Sequence, residues 1–114
     1  MPRRMRPGPP AVQLPGDSAV TQPNDIAATL AERGTRYGKF TGHAAISTRL
    51  KLVIHDAVLA RPERTFAADQ MEAMDMIAHK LARILNGDPN YADSWVDIAG
   101  YAKLVADRLE GVSV

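Results

Sequence analysis

The sequence predicts an all-α domain of about four helices behind an extended arm. Three observations carry that expectation. Apolar residues recur at alternating four- and three-residue spacing in three separate stretches. The apolar set is mostly Ala, Leu, Ile, Val and Met, with 5% aromatic residues, which favours helices over a sheet sandwich. The prolines gather at one end, with Pro2, Pro7, Pro9, Pro10, Pro15 and Pro23 ahead of only Pro62 and Pro89. A stretch so rich in proline neither runs as a helix nor supplies a core, so residues 1–23 are expected to be a disordered or extended arm and residues 24–114 the folded domain.

Asn24-Asp25 opens the first helix. Ile26, Ala27, Leu30 and Ala31 follow at helical spacing, and Gly34 stands where a C-terminal glycine is expected. Residues 34–41 form a connection in which Arg36 and Lys39 can meet an anion, while Tyr37 and Phe40 can plug the end of a bundle. Thr41 caps a second helix to about Ala60, with a seam of Ile46, Leu50, Val53 and Ala57. His43 and His55 on that helix have no histidine partner one turn away and are expected at a cap or on the surface. Arg61-Pro62 ends it. The third helix, from Thr65 or Ala67 to Leu85, has the clearest seam: Ala67, Met71, Met74, Ala78, Leu81 and Leu85. Met76, Ile77 and Ile84 lie off that seam, so this helix needs burial on two sides, and the second side is expected to be another subunit of a homo-oligomer. Asn86-Gly87 is a strong stop. The fourth helix runs from about Asn90 to Glu110 with the seam Tyr91, Trp95, Ile98, Ala102, Val105 and Leu109, and Gly111 ends it. The short connection makes helices three and four antiparallel neighbours. Gly100 lies between faces, where another helix is expected to come close.

Composition removes several functions. Without cysteine there is no disulfide framework, thiol nucleophile or Cys zinc site, and the chain suits a reducing cytoplasm. Net charge is +1. Arg3, Arg4 and Arg6 face only Asp17 in the arm, so the body is close to neutral and gives no footprint for duplex nucleic acid. No apolar run is long enough for a membrane span, and the N-terminus lacks a signal peptide's apolar centre.

Two polar stripes carry the candidate chemistry. At about 100° per residue, Glu72, Asp75, His79 and Arg83 line one side of the third helix, roughly opposite its seam. Asp97, Tyr101, Leu104 and Arg108 line one side of the fourth, with Asp93 a turn earlier. Carboxylates projecting from antiparallel helices are what Mg²⁺ needs, so Glu72, Asp75, Asp93 and Asp97 are the candidate metal ligands. Lys80 and Arg83, or Arg36 and Lys39 from the connection, would neutralise a phosphate, and Tyr101 would position the ligand. The same stripes also fit a solvated face with weak ion pairs.

Three segments together resemble a family of small proteins of bacteriophages and prophages. They are Arg36-Tyr37-Gly38-Lys39-Phe40, then Met76 to Ile84 with its Lys80-x-x-Arg83, then Asp93-x-x-x-Asp97-Ile98-x-x-Tyr101-Ala102. The resemblance implies phage origin and an all-α fold, and no activity. The paired acidic helices are also similar to the all-α nucleoside triphosphate pyrophosphohydrolases of the MazG type, which hold Mg²⁺ around a nucleotide's phosphates. Glu72-x-x-Asp75 matches the spacing of one of their acidic pairs, and Asp93-x-x-x-Asp97 is one residue wider than the other. The expectation is therefore a nucleotide- or phosphate-binding protein with possible Mg²⁺-dependent hydrolysis. The alternative is a non-catalytic accessory protein acting against host defence, by sequestering a nucleotide signal or by binding a host protein.

Overall fold

The computed structural model describes residues 23–112, so the expected arm lies outside the described residues except for Pro23. These residues form four α-helices and no strand: α1 Pro23–Tyr37, α2 Phe40–Leu59, α3 Ala68–Asn86 and α4 Ala92–Leu109. No helix among them is long and apolar enough to cross a membrane. The chain falls into two compact units, residues 1–32 and 33–114, with the boundary inside α1. In the first unit, Ile26 and Leu30 of α1 are exposed. The second unit holds the last turn of α1 and all of α2, α3 and α4.

Two helix ends differ from expectation. α1 continues through Gly34 to Tyr37, and Gly38 takes the left-handed conformation (φ 77°) that ends it. The N–H of Gly38 bonds to the carbonyl of Gly34 at 2.9 Å, so Gly34 is part of the last turn and not its stop. α2 starts at Phe40, after an extended Lys39, which leaves Thr41 inside the helix and not at its cap. The N-terminus of α3 is closed by Gln70, whose Oε1 accepts the Ala67 N–H at 2.8 Å. Gly111 ends α4 at φ 83°, as its position implied.

α2 and α4 pack on opposite flanks of α3 and do not pack on each other. Of Met76, Ile77 and Ile84, only Ile84 is buried within the chain, while Ile77 lines a groove with Ala102 and Val105 and Met76 is half-buried. Most of the buried positions are small. Ala73, Ala78, Ala82, Ser47 and Ser94 let the helix backbones approach closely. No large side chain is fully buried among the described residues. On the Met74 side of the layer, Val53, Leu85, Trp95 and Leu109 of the seams stay exposed instead. Two grooves there, of about 450 Å³ and 270 Å³, both take Phe66 and Met74 as walls. Gly100, expected at a close helix approach, faces open space.

Candidate functional site

On α3, Asp75, His79 and Arg83 are spaced four apart and so form one line. That line faces α2 and is half-buried. Asp75 accepts from Nε2 of His55 at 2.8 Å. The His79 ring meets the His43 ring edge-on, with Nδ1 of His79 3.3 Å from Nε2 of His43. The Arg83 guanidinium lies over the Tyr37 ring, 4.2 Å from its centre. The stripe expected on the outer side of α3 is therefore its interface with α2.

His43 is buried in that interface, contrary to the surface or cap role its isolation in sequence implied. The inward line of α2 is His43, Ser47, Leu50 and Ile54, at four-three-four spacing. This line was legible beside the Ile46–Leu50–Val53–Ala57 seam, but its first two members are polar and do not score as core. Nδ1 of His43 is buried without a hydrogen-bond partner. The arrangement that costs least has Nε2–H of His43 donating to Nδ1 of His79. The orphan is then a lone pair and not an N–H.

Both rings are held neutral. Burial pushes His79 down to about 4, helped by His43 and by the positive charges of Arg83, Lys51 and Lys80. Burial and the same three cations also lower His43. Of these cations, Lys80 pairs with Asp97 at 2.9 Å. Among the described residues neither Lys51 nor Arg83 has a carboxylate within ion-pair distance. The α2–α3 interface is thus an electropositive strip around a neutral histidine pair.

The Arg36–Phe40 connection is the plug at the end of this strip. Tyr37 packs edge-on against Tyr91 at 6.0 Å, and Arg36 lies 4.2 Å over the centre of the Tyr91 ring. Nδ2 of Asn86 donates to the carbonyls of Tyr37 (2.7 Å) and Lys39 (2.9 Å), and the Asp88 N–H donates to that of Arg36 at 2.6 Å. Phe40 and the Lys39 side chain remain exposed. The two glycines of the motif and of the α3 stop, Gly38 and Gly87, exist because these two backbone segments touch. A Cβ on Gly38 would run into the Asn86 carbonyl, and one on Gly87 into the backbone of Arg36 and Tyr37.

The four candidate metal ligands are held apart. Asp75 is with His55, Asp97 with Lys80, and Asp93 accepts the Tyr91 hydroxyl at 2.8 Å, while Glu72 is exposed. Among the described residues no three His, Asp or Glu side chains gather as a metal would require. Tyr101 is half-buried on α4 and shares a shallow groove of about 540 Å³ with Asp97, Val96, Gly100 and Leu104.

The matched family profile spans residues 24–109, nearly all of the described helices. The chain belongs to the family of unknown function DUF6378. Neither a curated protein nor a solved structure matches it. The family match brings no activity, and neither phage origin nor a MazG relationship follows from it. What this DUF6378 domain offers chemically is a set of cations and rings, with Asp75, Asp93 and Asp97 each engaged by another side chain. The Lys80–Asp97 bond joins α3 to α4 with Lys80 largely shielded from water (side chain 12% exposed). Asp97→Asn is expected to cost about 1 kcal/mol in urea denaturation, because the shielded ammonium loses its counter-charge while the exposed carboxylate end is screened.

Proposed function

We propose that this domain binds a phosphate-bearing small molecule of the nucleotide class at the electropositive strip between α2 and α3. The observation that carries the reading is Arg83 together with Lys51: two half-buried cations without a carboxylate partner among the described residues, beside the His43–His79 pair. A guanidinium stacked on a ring is oriented yet keeps its N–H edge for bidentate contact with a phosphate. Tyr37 and Tyr91 next to it supply faces and edges of the kind a base packs on. The MazG-type resemblance points to the same ligand class. Asp75, Asp93 and Asp97 are each held by another side chain, which favours binding over hydrolysis.

Titration calorimetry with linear and cyclic nucleotides and inorganic phosphate, with and without Mg²⁺, tests the reading. Saturable binding by the wild type is expected, weakened at least tenfold in Arg83→Gln and in Lys51→Gln. Silence of the wild-type chain towards every compound ends it. Pyrophosphate release from a triphosphate that Asp97→Asn abolishes would replace it with the hydrolase. An anion among these cations also favours protonated His79, so binding should take up a proton and tighten from pH 7 towards pH 5. Calorimetry in buffers of different ionisation heat reads that uptake.

A further inference from the structure

Among the described helices, α2 packs on α3 alone. Its grip has two halves. In the first two turns, His43 and Ser47 are the buried residues of the helix, and no apolar residue of α2 is buried. Near the other end, about 18 Å along the axis, His55 bonds to Asp75 at 2.8 Å, and Ile54 and Val58 line a groove with Met74. Each half thus rests on a histidine, but the partners differ: a second imidazole at the first, a carboxylate at the other.

The two contacts answer a proton differently. In the neutral pair, Nε2–H of His43 donates to Nδ1 of His79. One added proton makes three hydrogens on four ring nitrogens, so one of them sits on Nδ1 of His43, whichever ring owns the charge. That nitrogen is buried without a hydrogen-bond partner. An N–H there loses its hydration and gains nothing in return. The groups facing the pair add to the cost: Lys51 from α2, and Arg83 and Lys80 from α3, with α4 supplying Asp97 to Lys80 only. From the α1 end, Tyr37 lies under Arg83, and the Phe40 ring is 6.1 Å from that of His43. Among the described residues no carboxylate is within ion-pair distance of either ring. At the far end, a proton on His55 leaves the bond to Asp75 in place as an ion pair.

We infer that the α2–α3 interface is a proton-operated hinge: charging the His43–His79 pair frees the first half of α2 from α3, while the His55–Asp75 contact keeps the second half in place. The rest of the layer does not respond in the same way. α3 and α4 are joined around buried Ile84 and by the bidentate Arg108–Asp69 bond, in which the guanidinium holds the Asp69 carboxyl below its usual range. The folded-state value of His79, about 4, lies below the 6.5 of a free ring, so the closed interface is at full strength above pH 6.5 and weakens as pH falls towards 4. Through His79 alone the opening equilibrium grows roughly twentyfold from pH 7 to pH 5. A freed segment of about three turns is too short to stay helical in water, so its amides exchange with solvent.

Hydrogen–deuterium exchange of the full chain in phosphate-free buffer, corrected for the intrinsic rate at each pH, tests the hinge. From pH 7 to pH 5 the amides of residues 44–50 should lose protection roughly twentyfold. Those of residues 55–59 and 96–109 should keep theirs. Equal loss in α2 and α4 overturns the inference, and so does unchanged protection at residues 44–50. In His79→Gln the extra loss at residues 44–50 should vanish, and its persistence there overturns the inference as well. The wild-type comparison decides the matter even where that variant does not fold. No ligand takes part in these readouts, so the hinge and the nucleotide reading stand or fall separately.

Discussion

Gly87→Ala is expected to lower the unfolding free energy by at least about 3 kcal/mol and the melting temperature by roughly 10–20 °C. Gly87 has an ordinary φ of −131°, so its cost is not conformational. A methyl there meets the backbone of Arg36 and Tyr37, which cannot retreat without giving up the Asp88–Arg36 bond and both Asn86 bonds. Each lost bond strands a carbonyl at the end of α1, at about 1 kcal/mol or more. Gly34→Ala is the control. Gly34 sits in an exposed helical turn with nothing near its missing Cβ, and the substitution should stabilise by about 0.5–1 kcal/mol. Thermal melts of the two variants check the pair; equal small effects would remove the contact between the two loops as a determinant of stability.

Acidification from pH 7 to pH 5 is expected to cost about 2 kcal/mol through His79 alone. Its folded-state value of about 4 lies below the 6.5 of an unperturbed histidine. The unfolded chain therefore binds the proton first as pH falls. Stability from the neutral ring is complete above about pH 6.5 and drains away as pH drops towards 4. His43 is lowered by the same burial and adds to the slope. Carboxylates paired in the fold, such as Asp69 held down by its bidentate bond to Arg108, act only below this window. Urea denaturation at pH 7 and pH 5 measures the slope, and His79→Gln should flatten it. An unchanged slope in that variant would mean that the histidine pair is not the titrating group.

These two expectations rest on features of different legibility. The glycines were plain in the sequence as punctuation: Asn86-Gly87 as a helix stop and Gly38 as a turn residue. That the two would touch was not, because the Arg36–Phe40 segment and Asn86 are separated by two helices. The candidate site behaved similarly. Lys80, Arg83, Asp75 and Asp97 lie on helices where spacing placed them, yet spacing left open which side α2 would occupy. Once α2 packs on the Asp75–His79–Arg83 line, Asp75 goes to His55 and Lys80 takes Asp97 from the other flank. The acidic residues that looked like one ligand set from their periodicity are thereby divided among separate partners.

The sequence by itself determined that the domain is helical, that it has four helices, where most of them end, and which residues are apolar on each. Those are local properties, set by side-chain propensity, by proline and glycine backbone limits, and by a period of 3.6 residues. Tertiary structure decided what those faces meet. α3 is flanked on both sides by small residues, with Ala78, Ala82 and Ser47 on one flank and Ala73 and Ser94 on the other, and close backbone approach there puts polar His43 inside and leaves the seams, with Trp95 and Val53, outside. Periodicity cannot foresee that exchange. It ranks faces by hydrophobicity, whereas the packing of this layer is ruled by which backbones can come nearest.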